Sequence, residues 1–258
     1  MSQDSILFER RDTIARVTLN RPDVLNSFNH DMFGRFQAVL AEIKADRSLR
    51  AVYLTGAGRG FCAGQDLGGA GVGGDFGDHL EESWNPIART IRTLDRPVVC
   101  AVNGVAAGAG ANLALLCDFV VAAEEASFVQ AFINIGLVPD TGGSWTLPHL
   151  VGRARASAAL LLGEKIPAKQ AAEWGMILKA VPGATLETEA WALAIKLAGL
   201  PTFAIGLTNQ LIDAAATNTF EQQLLLEADL QTAAGKSADH QEGVTAFKEK
   251  RKPRFLGK

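Results

Sequence analysis

Short apolar runs alternate with stretches of helical periodicity through the first half of this chain of 258 residues. Ile14–Leu19, Ala51–Gly56 and Pro97–Val102 are alternating or β-branched runs, a pattern that predicts strands. Apolar residues recur at helical spacing from Asn29 to Ala45, with Asn29 as the expected cap, and a further helix is expected over Asp78–Leu94. The alternation of strand and helix predicts an α/β fold.

The second half is expected to be mainly helical. A short strand is predicted at Phe119–Ala123 and a weaker one at Met176–Val181, and the remaining C-terminal sequence has amphipathic patterns separated at Pro201. A helix-rich tail on an α/β body usually covers its own core or a neighbouring subunit. No internal repeat or linker indicates a second independent domain.

Charge and hydropathy exclude some classes of partner. The chain has a formal net charge of -3 and an isoelectric point near 5.8, so neither a nucleic acid nor an anionic membrane surface is an expected partner. The N-terminus lacks the basic and apolar regions of a secretory signal, and no apolar run approaches the roughly 18 residues of a membrane span. We therefore expect a cytoplasmic protein.

Cysteine and histidine spacing does not support a metal site. Cys62, Cys100 and Cys117 form no CxxC pair, and an odd number of cysteines argues against a disulfide framework. The histidines at positions 30, 79, 149 and 240 fit no zinc motif and no Ser-His-Asp triad. We expect buried cysteines and no metal.

Two turns of small residues stand next to predicted helix starts. One is FCAGQDL at residues 61–67, and the other is GVAAGAG at residues 104–110. Neither has the glycine pattern of a dinucleotide or nucleotide-phosphate site in the required setting. Backbone N–H groups from two turns that point at one oxygen form an oxyanion hole, which stabilises an enolate beside a thioester carbonyl.

Three segments, in this order and spacing, resemble the enoyl-CoA hydratase/isomerase, or crotonase, superfamily. They are GRGFCAGQDL at residues 58–67, AVNGVAAGAGANLALLCDFVVAA at residues 101–123 and GLVPDTGG at residues 136–143. The similarity extends over nearly the whole chain. It implies a crotonase-like spiral core of ββα units in residues 1–198, a helical region in residues 199–258 that makes trimer contacts, and acyl-CoA thioesters as ligands. Coenzyme A is then part of the substrate, and no separate cofactor is expected.

The resemblance also implies which residues form the site. The oxyanion donors are the N–H groups of Gln65 and Ala109. Hydratases of the family carry a glutamate three residues after the second donor and another about twenty residues later, and this pair positions and activates water. Here Asn112 and Phe132 occupy those places. Because neither carboxylate exists, hydration by the usual pair is expected to be crippled.

Asp140, in the stretch GLVPDTGGSW at residues 136–145, has two interpretations. An aspartate just before a helix is usually an N-cap that accepts from the first free N–H groups. In isomerases of the family, including those of phenylacetate breakdown, an aspartate occurs at the same place. Since Asp140 is the only acid at a family catalytic position, we favour a catalytic base, with which capping remains compatible.

Binding contacts are also implied by the resemblance. Phe132, Asn112 and Leu137 are expected to line the substrate pocket. Coenzyme A is expected to contact Asn26, Ala63, Asp66, Leu67 and Lys250. The C-terminal segment, residues 236–258, resembles the end of the phenylacetate branch, and its basic residues fit mostly a solvated helix face, with Lys250 or a neighbour able to approach a coenzyme A phosphate.

The resemblance therefore predicts a cofactor-independent isomerase of acyl-CoA thioesters. The expected reactions are isomerisation of a ring epoxide on an acetyl-CoA arm to the oxepin, and the shift of an enoyl-CoA double bond from position 3 to position 2. Alternatives with the same fold are a hydratase-like enzyme and a dehalogenase-like enzyme with Asp140 as nucleophile. An alternative of another class is a non-catalytic acyl-CoA-binding or scaffolding homologue. A homotrimer or a dimer of trimers is expected.

Overall fold

Two sheets form the body of the chain. The computed structural model describes residues 4–68 and 75–258, so the middle of the glycine-dense segment predicted over Gly56–Gly77 lies outside the described residues. In spatial order, the large sheet consists of β1 (Ile6–Arg11), β2 (Ile14–Leu19), β3 (Ala51–Gly56), β5 (Val98–Val102), β7 (Phe119–Ala123) and β10 (Lys179–Val181). The small sheet consists of β4 (Gly60–Cys62), β6 (Val105–Ala107), β8 (Ser127–Val129) and β9 (Lys165–Pro167).

The two sheets are built by one repeated connection. β1 and β2 form an antiparallel hairpin, and β2, β3, β5, β7 and β10 then run parallel. Each of β3, β5 and β7 is followed at once by a short strand of the small sheet, where β4, β6 and β8 are also parallel. A helix follows each such pair of strands before the chain returns to the large sheet or to β9. The predicted spiral of ββα units is therefore confirmed.

Ten α-helices surround or extend the sheets within the described residues. They are α1 (His30–Ala45), α2 (Phe76–Glu82), α3 (Trp84–Arg92), α4 (Ala109–Leu115), α5 (Gly143–Leu162), α6 (Ala168–Glu173), α7 (Leu186–Ala198), α8 (Thr202–Ala214), α9 (Phe220–Gly235) and α10 (Ala238–Lys248). The predicted cap of α1 is confirmed, because the Asn29 side chain accepts from the N–H of Met32. The single helix predicted over residues 78–94 is wrong, because the chain breaks at Ser83 into α2 and α3.

Gln37 of α1 shows why this break is tolerated. A broken helix leaves carbonyl groups without intrahelical donors, which must find other partners. The Gln37 side-chain amide donates to the carbonyls of both Glu82 and Ser83 at 3.0 Å. The break therefore ties α1 to the start of α3 and sets the direction in which α2 leaves.

An aromatic cluster lies beneath α1 and α3. Trp84 is fully buried, and its ring lies 4.7 Å from that of Phe28 and 5.0 Å from that of Phe33, centroid to centroid. Burial of one such ring stabilises the fold by about 2 to 3 kcal/mol. The cluster fixes the first residue of α3 beside the turn that follows β4.

The C-terminal helices leave apolar side chains exposed. α7 packs against β3, β5 and β7, whereas α8, α9 and α10 lie in the region predicted to make trimer contacts. Phe220 is 79% exposed and Phe247 is 86% exposed. The trimer and the division at residue 198 stay predictions.

Among the described residues, no single helix is long and apolar enough to cross a membrane. One pair of helices has the length and composition of a membrane span when taken together. It consists of Gly183–Ala198 and α8, which meet at a bend of 104°.

Candidate active site

The parallel pairing of β4 with β6 brings the two small-residue turns together. Gly64 follows β4, and a Cβ built on it would lie 2.9 Å from the carbonyl oxygen of Ala107 and 3.3 Å from the backbone nitrogen of Ala109. A Cβ on Gly110 would overlap the carbonyl oxygen of Cys62. Both glycines are thus required by the close approach of one backbone to the other. The turns that carry Gln65 and Ala109 are therefore in direct contact.

The N–H of Gln65 points away from Phe28, the residue with which Gln65 is paired. Phe28 makes two hydrogen bonds to this turn. Its N–H donates to the Gly64 carbonyl at 2.8 Å, and its carbonyl accepts from the Asp66 N–H at 2.9 Å. These bonds flank residue 65, and successive N–H groups in extended backbone face opposite sides. Gln65 therefore directs its own N–H to the side opposite Phe28.

Ala109 offers the second donor at the start of α4. The first N–H groups of a helix have no intrahelical partner, and Gly108, which precedes Ala109, has φ 53° and ψ -128°. Gly108 donates to Val129, and its carbonyl accepts from Ala111 and Asn112. No hydrogen bond from the Ala109 N–H occurs in the part of the chain that the structure describes. This N–H is available to an oxygen near Gln65, as an oxyanion hole requires.

The Asp140 carboxylate does not cap α5. Thr141 and Gly142 both have positive φ, at 50° and 75°, so that α5 begins only at Gly143, with Gly142 as its cap residue and no side-chain cap bond. The Asp140 Oδ1 instead accepts from the Thr141 hydroxyl at 2.7 Å. The capping interpretation of Asp140 is therefore wrong, because two left-handed residues separate the acid from the helix.

Asn112 anchors the turn that carries the acid. Its Nδ2 donates to the backbone carbonyl of Asp140 at 2.8 Å, and its Oδ1 accepts from the Gln130 side-chain amide at 2.9 Å. Asn112 and Gln130 are each only 1% exposed. Buried polar groups contribute most when each has a partner. The place of one hydratase glutamate is thus occupied by a residue that fixes the backbone of Asp140.

Phe132 presents an apolar ring beside the second donor. It is 7% exposed, and its Cζ lies 3.7 Å from the position that a Cβ on Gly108 would occupy. No group on this ring exchanges a proton. The place that the resemblance gives to the other hydratase glutamate is therefore apolar.

Burial tunes Asp140 as a base. Loss of solvent disfavours the charged carboxylate and raises the pKa of Asp140 to about 6. The hydrogen bond from Thr141 and the charge of His79 act in the opposite direction. A carboxylate whose pKa is raised in this way is a stronger base than an exposed aspartate, which suits proton transfer.

A cavity of about 860 Å³ opens beside this site, between α1 and α2. Of the predicted residues it brings together Gln65, Asp66, Leu67 and Leu137. Phe33 of α1 and Phe76 and His79 of α2 also line it. Its size is in the range that holds the reacting part of a drug-sized ligand.

The remaining residues predicted to contact coenzyme A lie outside this cavity. Asn26 is fully buried, and its Nδ2 donates to the carbonyls of Ala57, Gly60 and Phe61, so its side chain supports the turn rather than a ligand. The N–H of Ala63 donates to the Leu25 carbonyl. Lys250 is exposed just beyond the end of α10 and does not line the cavity.

Three site residues were not predicted as functional from the sequence. Gln130 supports Asn112, while Trp84 and His79 both contact the Gln65 side chain at its Oε1 atom, at 3.2 and 3.3 Å. His79 was noted only as one of the scattered histidines. No local spacing connects these residues, because they meet only when the turn after β4 packs against α2 and α3.

The described residues contain no group of three histidine, cysteine or acidic side chains placed to hold a metal ion. The three cysteines are buried and unpaired, as predicted. Burial raises the pKa of the Cys62 thiol to about 12, so it is not a thiolate nucleophile at neutral pH.

Comparison with known proteins agrees with this fold. The chain belongs to the enoyl-CoA hydratase/isomerase family, and the sequence model of that family matches residues 9–258. It is 51% identical to 1,2-epoxyphenylacetyl-CoA isomerase of Escherichia coli, over 95% of each chain. It is 46% identical to a probable enoyl-CoA hydratase of Rhodobacter capsulatus, over 100% of each chain. The crystal structure of an enoyl-CoA hydratase from Bacillus anthracis superposes with a TM-score of 0.91 at 32% identity, covering 98% of this chain and 100% of that one.

Proposed function

We propose that this chain is an isomerase of acyl-CoA thioesters in which Asp140 moves the proton. The substrates are ring-1,2-epoxyphenylacetyl-CoA, which gives the oxepin, and 3-enoyl-CoA, which gives 2-enoyl-CoA. The observation that carries the proposal is a half-buried, ionisable Asp140 whose backbone is held by Asn112 of α4, the helix that begins with the second donor. Asn112 and Phe132 stand at the positions that the resemblance gives to the hydratase glutamates. The 51% identity to the Escherichia coli isomerase supports the same choice.

The double-bond shift requires one base and one oxyanion hole. The Asp140 carboxylate removes a proton from C2, and the electron pair moves onto the thioester oxygen as an enolate held by the N–H groups of Gln65 and Ala109. A thioester α-proton is weakly acidic, so this stabilisation is essential, and one such donor typically contributes on the order of 10² to 10³ in rate. Asp140 then returns the proton to C4 as the electrons move back, and the double bond lies between C2 and C3.

The epoxide follows the same opening step. Removal of the C2 proton gives the enolate, whose electrons drive rearrangement of the epoxide-bearing ring into the seven-membered oxepin, and the proton is returned to the rearranged ring system. Substrate and product are isomers, so this sequence of steps requires no oxidant, reductant or added water. Phe132 serves by limiting competing water.

Hydration is disfavoured by the same residues. Addition of water needs a second group to orient the attacking oxygen while the first exchanges the proton. Asn112 already donates to the Asp140 carbonyl and accepts from Gln130, and Phe132 has no polar atom. A single carboxylate is sufficient for a proton shift but not for the usual hydratase pair.

The test incubates the purified chain with ring-1,2-epoxyphenylacetyl-CoA, with 3-enoyl-CoA and with 2-enoyl-CoA, and follows each product by mass and ultraviolet spectrum. We expect products of unchanged mass from the first two. Asp140→Asn should lower kcat by about 10³-fold or more while acyl-CoA affinity changes little, because a general base typically contributes 10² to 10⁴.

Four outcomes would contradict this proposal. Near-normal turnover by Asp140→Asn would exclude Asp140 as the base. A gain of about 18 mass units from 2-enoyl-CoA, which is the mass of one water, with no isomerised product would indicate a hydratase. An ester trapped on Asp140 after incubation with a halogenated aromatic acyl-CoA would indicate a dehalogenase-like enzyme. Tight acyl-CoA binding without turnover of any substrate would indicate a non-catalytic homologue.

We also propose that the chain works as a homotrimer or a dimer of trimers in the cytoplasm, without a cofactor besides the coenzyme A of its substrate. The exposed apolar side chains of α9 and α10 support the oligomer, since exposed apolar patches of this kind commonly mark subunit contacts. Light scattering of the purified chain tests this, and a monomeric mass at micromolar concentration would contradict it.

A further inference from the structure

The orientation of the Gln65 side-chain amide is set by Trp84. An indole N–H can only donate a hydrogen bond, and the Trp84 Nε1 lies 3.2 Å from the Gln65 Oε1. The amide oxygen, and not the amide nitrogen, must therefore face the indole. Trp84 is itself fixed by its burial among Phe28 and Phe33.

This orientation determines which nitrogen of His79 carries hydrogen. The His79 Nε2 lies 3.3 Å from the same Gln65 Oε1. An amide oxygen only accepts, so Nε2 must be protonated in both the neutral and the charged imidazole. The second nitrogen, Nδ1, has no hydrogen bond within the described residues.

His79 projects from α2 into the cavity beside the acid turn. It lines the cavity together with Gln65 and Leu137, and its ring packs edge to face on Phe33, with 6.1 Å between centroids and an interplanar angle of 84°. Gln65 belongs to the turn that supplies the first oxyanion donor, and Leu137 lies three residues before Asp140. The imidazole thus lines the same cavity as one residue from each of these two segments.

We propose that His79 is a positioning residue of the isomerisation: from the cavity wall its Nε2–H holds Gln65 together with Trp84, and so fixes the turn that carries the first oxyanion donor. This inference rests on the proposed function, because it assigns a role in the reaction that Asp140 is proposed to perform. His79 acts through Gln65 and Asp140, and it is not assigned a proton transfer to the substrate.

Electrostatics around the cavity add an effect of His79 on Asp140. Burial raises the pKa of Asp140, and the charge of His79 acts in the opposite direction. The other titratable groups that line the cavity are His30, Asp31, Asp66 and Glu82. Of these, Asp66 is paired with Arg21 at 2.9 Å.

Two substitutions separate the hydrogen bond from the charge. His79→Gln places an amide N–H near the position of Nε2 and keeps a donor for Gln65 without a charge, whereas His79→Phe removes both. The matched control is His149→Gln, which removes an imidazole from α5 that contacts Trp145 and neither Gln65 nor Asp140.

The expected results are measured with 3-enoyl-CoA across pH. His79→Phe should lower kcat about fivefold at high pH, the effect of one hydrogen bond, and both variants should move the acid limb of the kcat profile upward by about half a pH unit. His79→Gln should recover most of the loss at high pH but not the shifted limb. His149→Gln should change neither.

A second readout does not need turnover. Carbon-13 NMR of the Asp140 carboxyl, identified by its absence in Asp140→Asn, reports the titration of that group in the unliganded protein. We expect the midpoint to rise by about half a unit in both His79 variants. An unchanged midpoint together with unchanged kcat would overturn the inference about His79, while inactivity of the wild-type chain with a shifted midpoint would overturn only the proposed function.

Discussion

The two walls of the proposed active site differ in how they are held. The wall with the oxyanion donors consists of backbone packed so closely that Gly110 has no room for a Cβ, and every residue of α4 is buried. The opposite wall consists of α2, which has no buried residue, and of the segment before Asp140, where Val138 is 80% exposed. The first wall is fixed by tertiary packing, and the second is only partly covered.

This difference separates what the family shares from what distinguishes its reactions. Backbone N–H groups work with any side chain, provided that the turns keep their separation, so tight glycine packing preserves the enolate site. In the proposed reaction, the proton transfer depends on the side chains of the other wall, Asp140 and His79, and on Asn112 and Phe132 at the boundary between the walls. Substitution on the packed wall should therefore destabilise the fold, whereas substitution on the open wall should change chemistry.

The largest effect is expected where the packing is closest. Gly110→Ala should lower the free energy of unfolding by about 3 kcal/mol, because the new methyl group must displace the Cys62 carbonyl. Gly34→Ala is the matched control in the middle of α1, where no atom lies within 4 Å of the added Cβ. It should stabilise the chain by about 0.5 to 1 kcal/mol. Chemical denaturation compares them, and equal effects would contradict the difference between the walls.

A smaller effect is expected at the boundary between the walls. Asn112→Ala leaves the Gln130 amide and the Asp140 carbonyl without their partner, which should cost about 2 kcal/mol in unfolding free energy. The kcat should also fall about tenfold or more, because the acid turn loses its anchor. Asn85→Ala is the control, because within the described residues the Asn85 amide donates a hydrogen bond only to the exposed Glu81. This substitution should change the free energy of unfolding by about 0.5 kcal/mol or less. Loss of stability without loss of kcat would show that the anchor does not position Asp140.

On the open wall, the acid that serves the reaction should destabilise the fold. The pKa of Asp140 rises from 3.8 to about 6 on folding, so the folded chain holds its proton over a window in which the unfolded chain has lost it. Stability is therefore highest below this window and falls as pH rises from about 4 to about 6. Asp140→Asn should be more stable than wild type by about 3 kcal/mol above the window and equal to it below. A difference in unfolding free energy between the two chains that does not change with pH would contradict a raised pKa of Asp140 in the folded state.

The sequence predicted the packed wall better than the open one. Apolar periodicity located α1, β3 and β5, and the cap of α1 followed from Asn29, because these signals are local. The strands of the small sheet are only three residues long, too short for alternation to be recognised. They form because their neighbours in the sheet align them.

The side-chain contacts of the open wall have no local signal. Capping of α5 by Asp140 was kept compatible with the favoured role as a base, because an acid before a helix is usually a cap. The left-handed conformation of Thr141, which separates Asp140 from α5, is unusual for a residue with a branched Cβ. His79 and Trp84 meet Gln65 across 14 and 19 residues of chain. The break between α2 and α3, where the Gln37 side chain donates to the carbonyls of Glu82 and Ser83, brings both side chains to Gln65.

The smallest effect is expected at the rim of the open wall, at Asp66. Its carboxylate is paired with Arg21 at 2.9 Å and also accepts from the N–H of Gly68, and both charged side chains are about one-fifth exposed, at 21% and 23%. Asp66→Asn should lower the unfolding free energy by about 1 kcal/mol or less, because a partly exposed ion pair contributes little. Acyl-CoA affinity should change by less than about threefold, since the carboxylate is already occupied by protein donors. A tenfold loss of affinity measured by calorimetry, with unchanged kcat, would instead mean that Asp66 contacts coenzyme A directly and that the open wall binds as well as tunes.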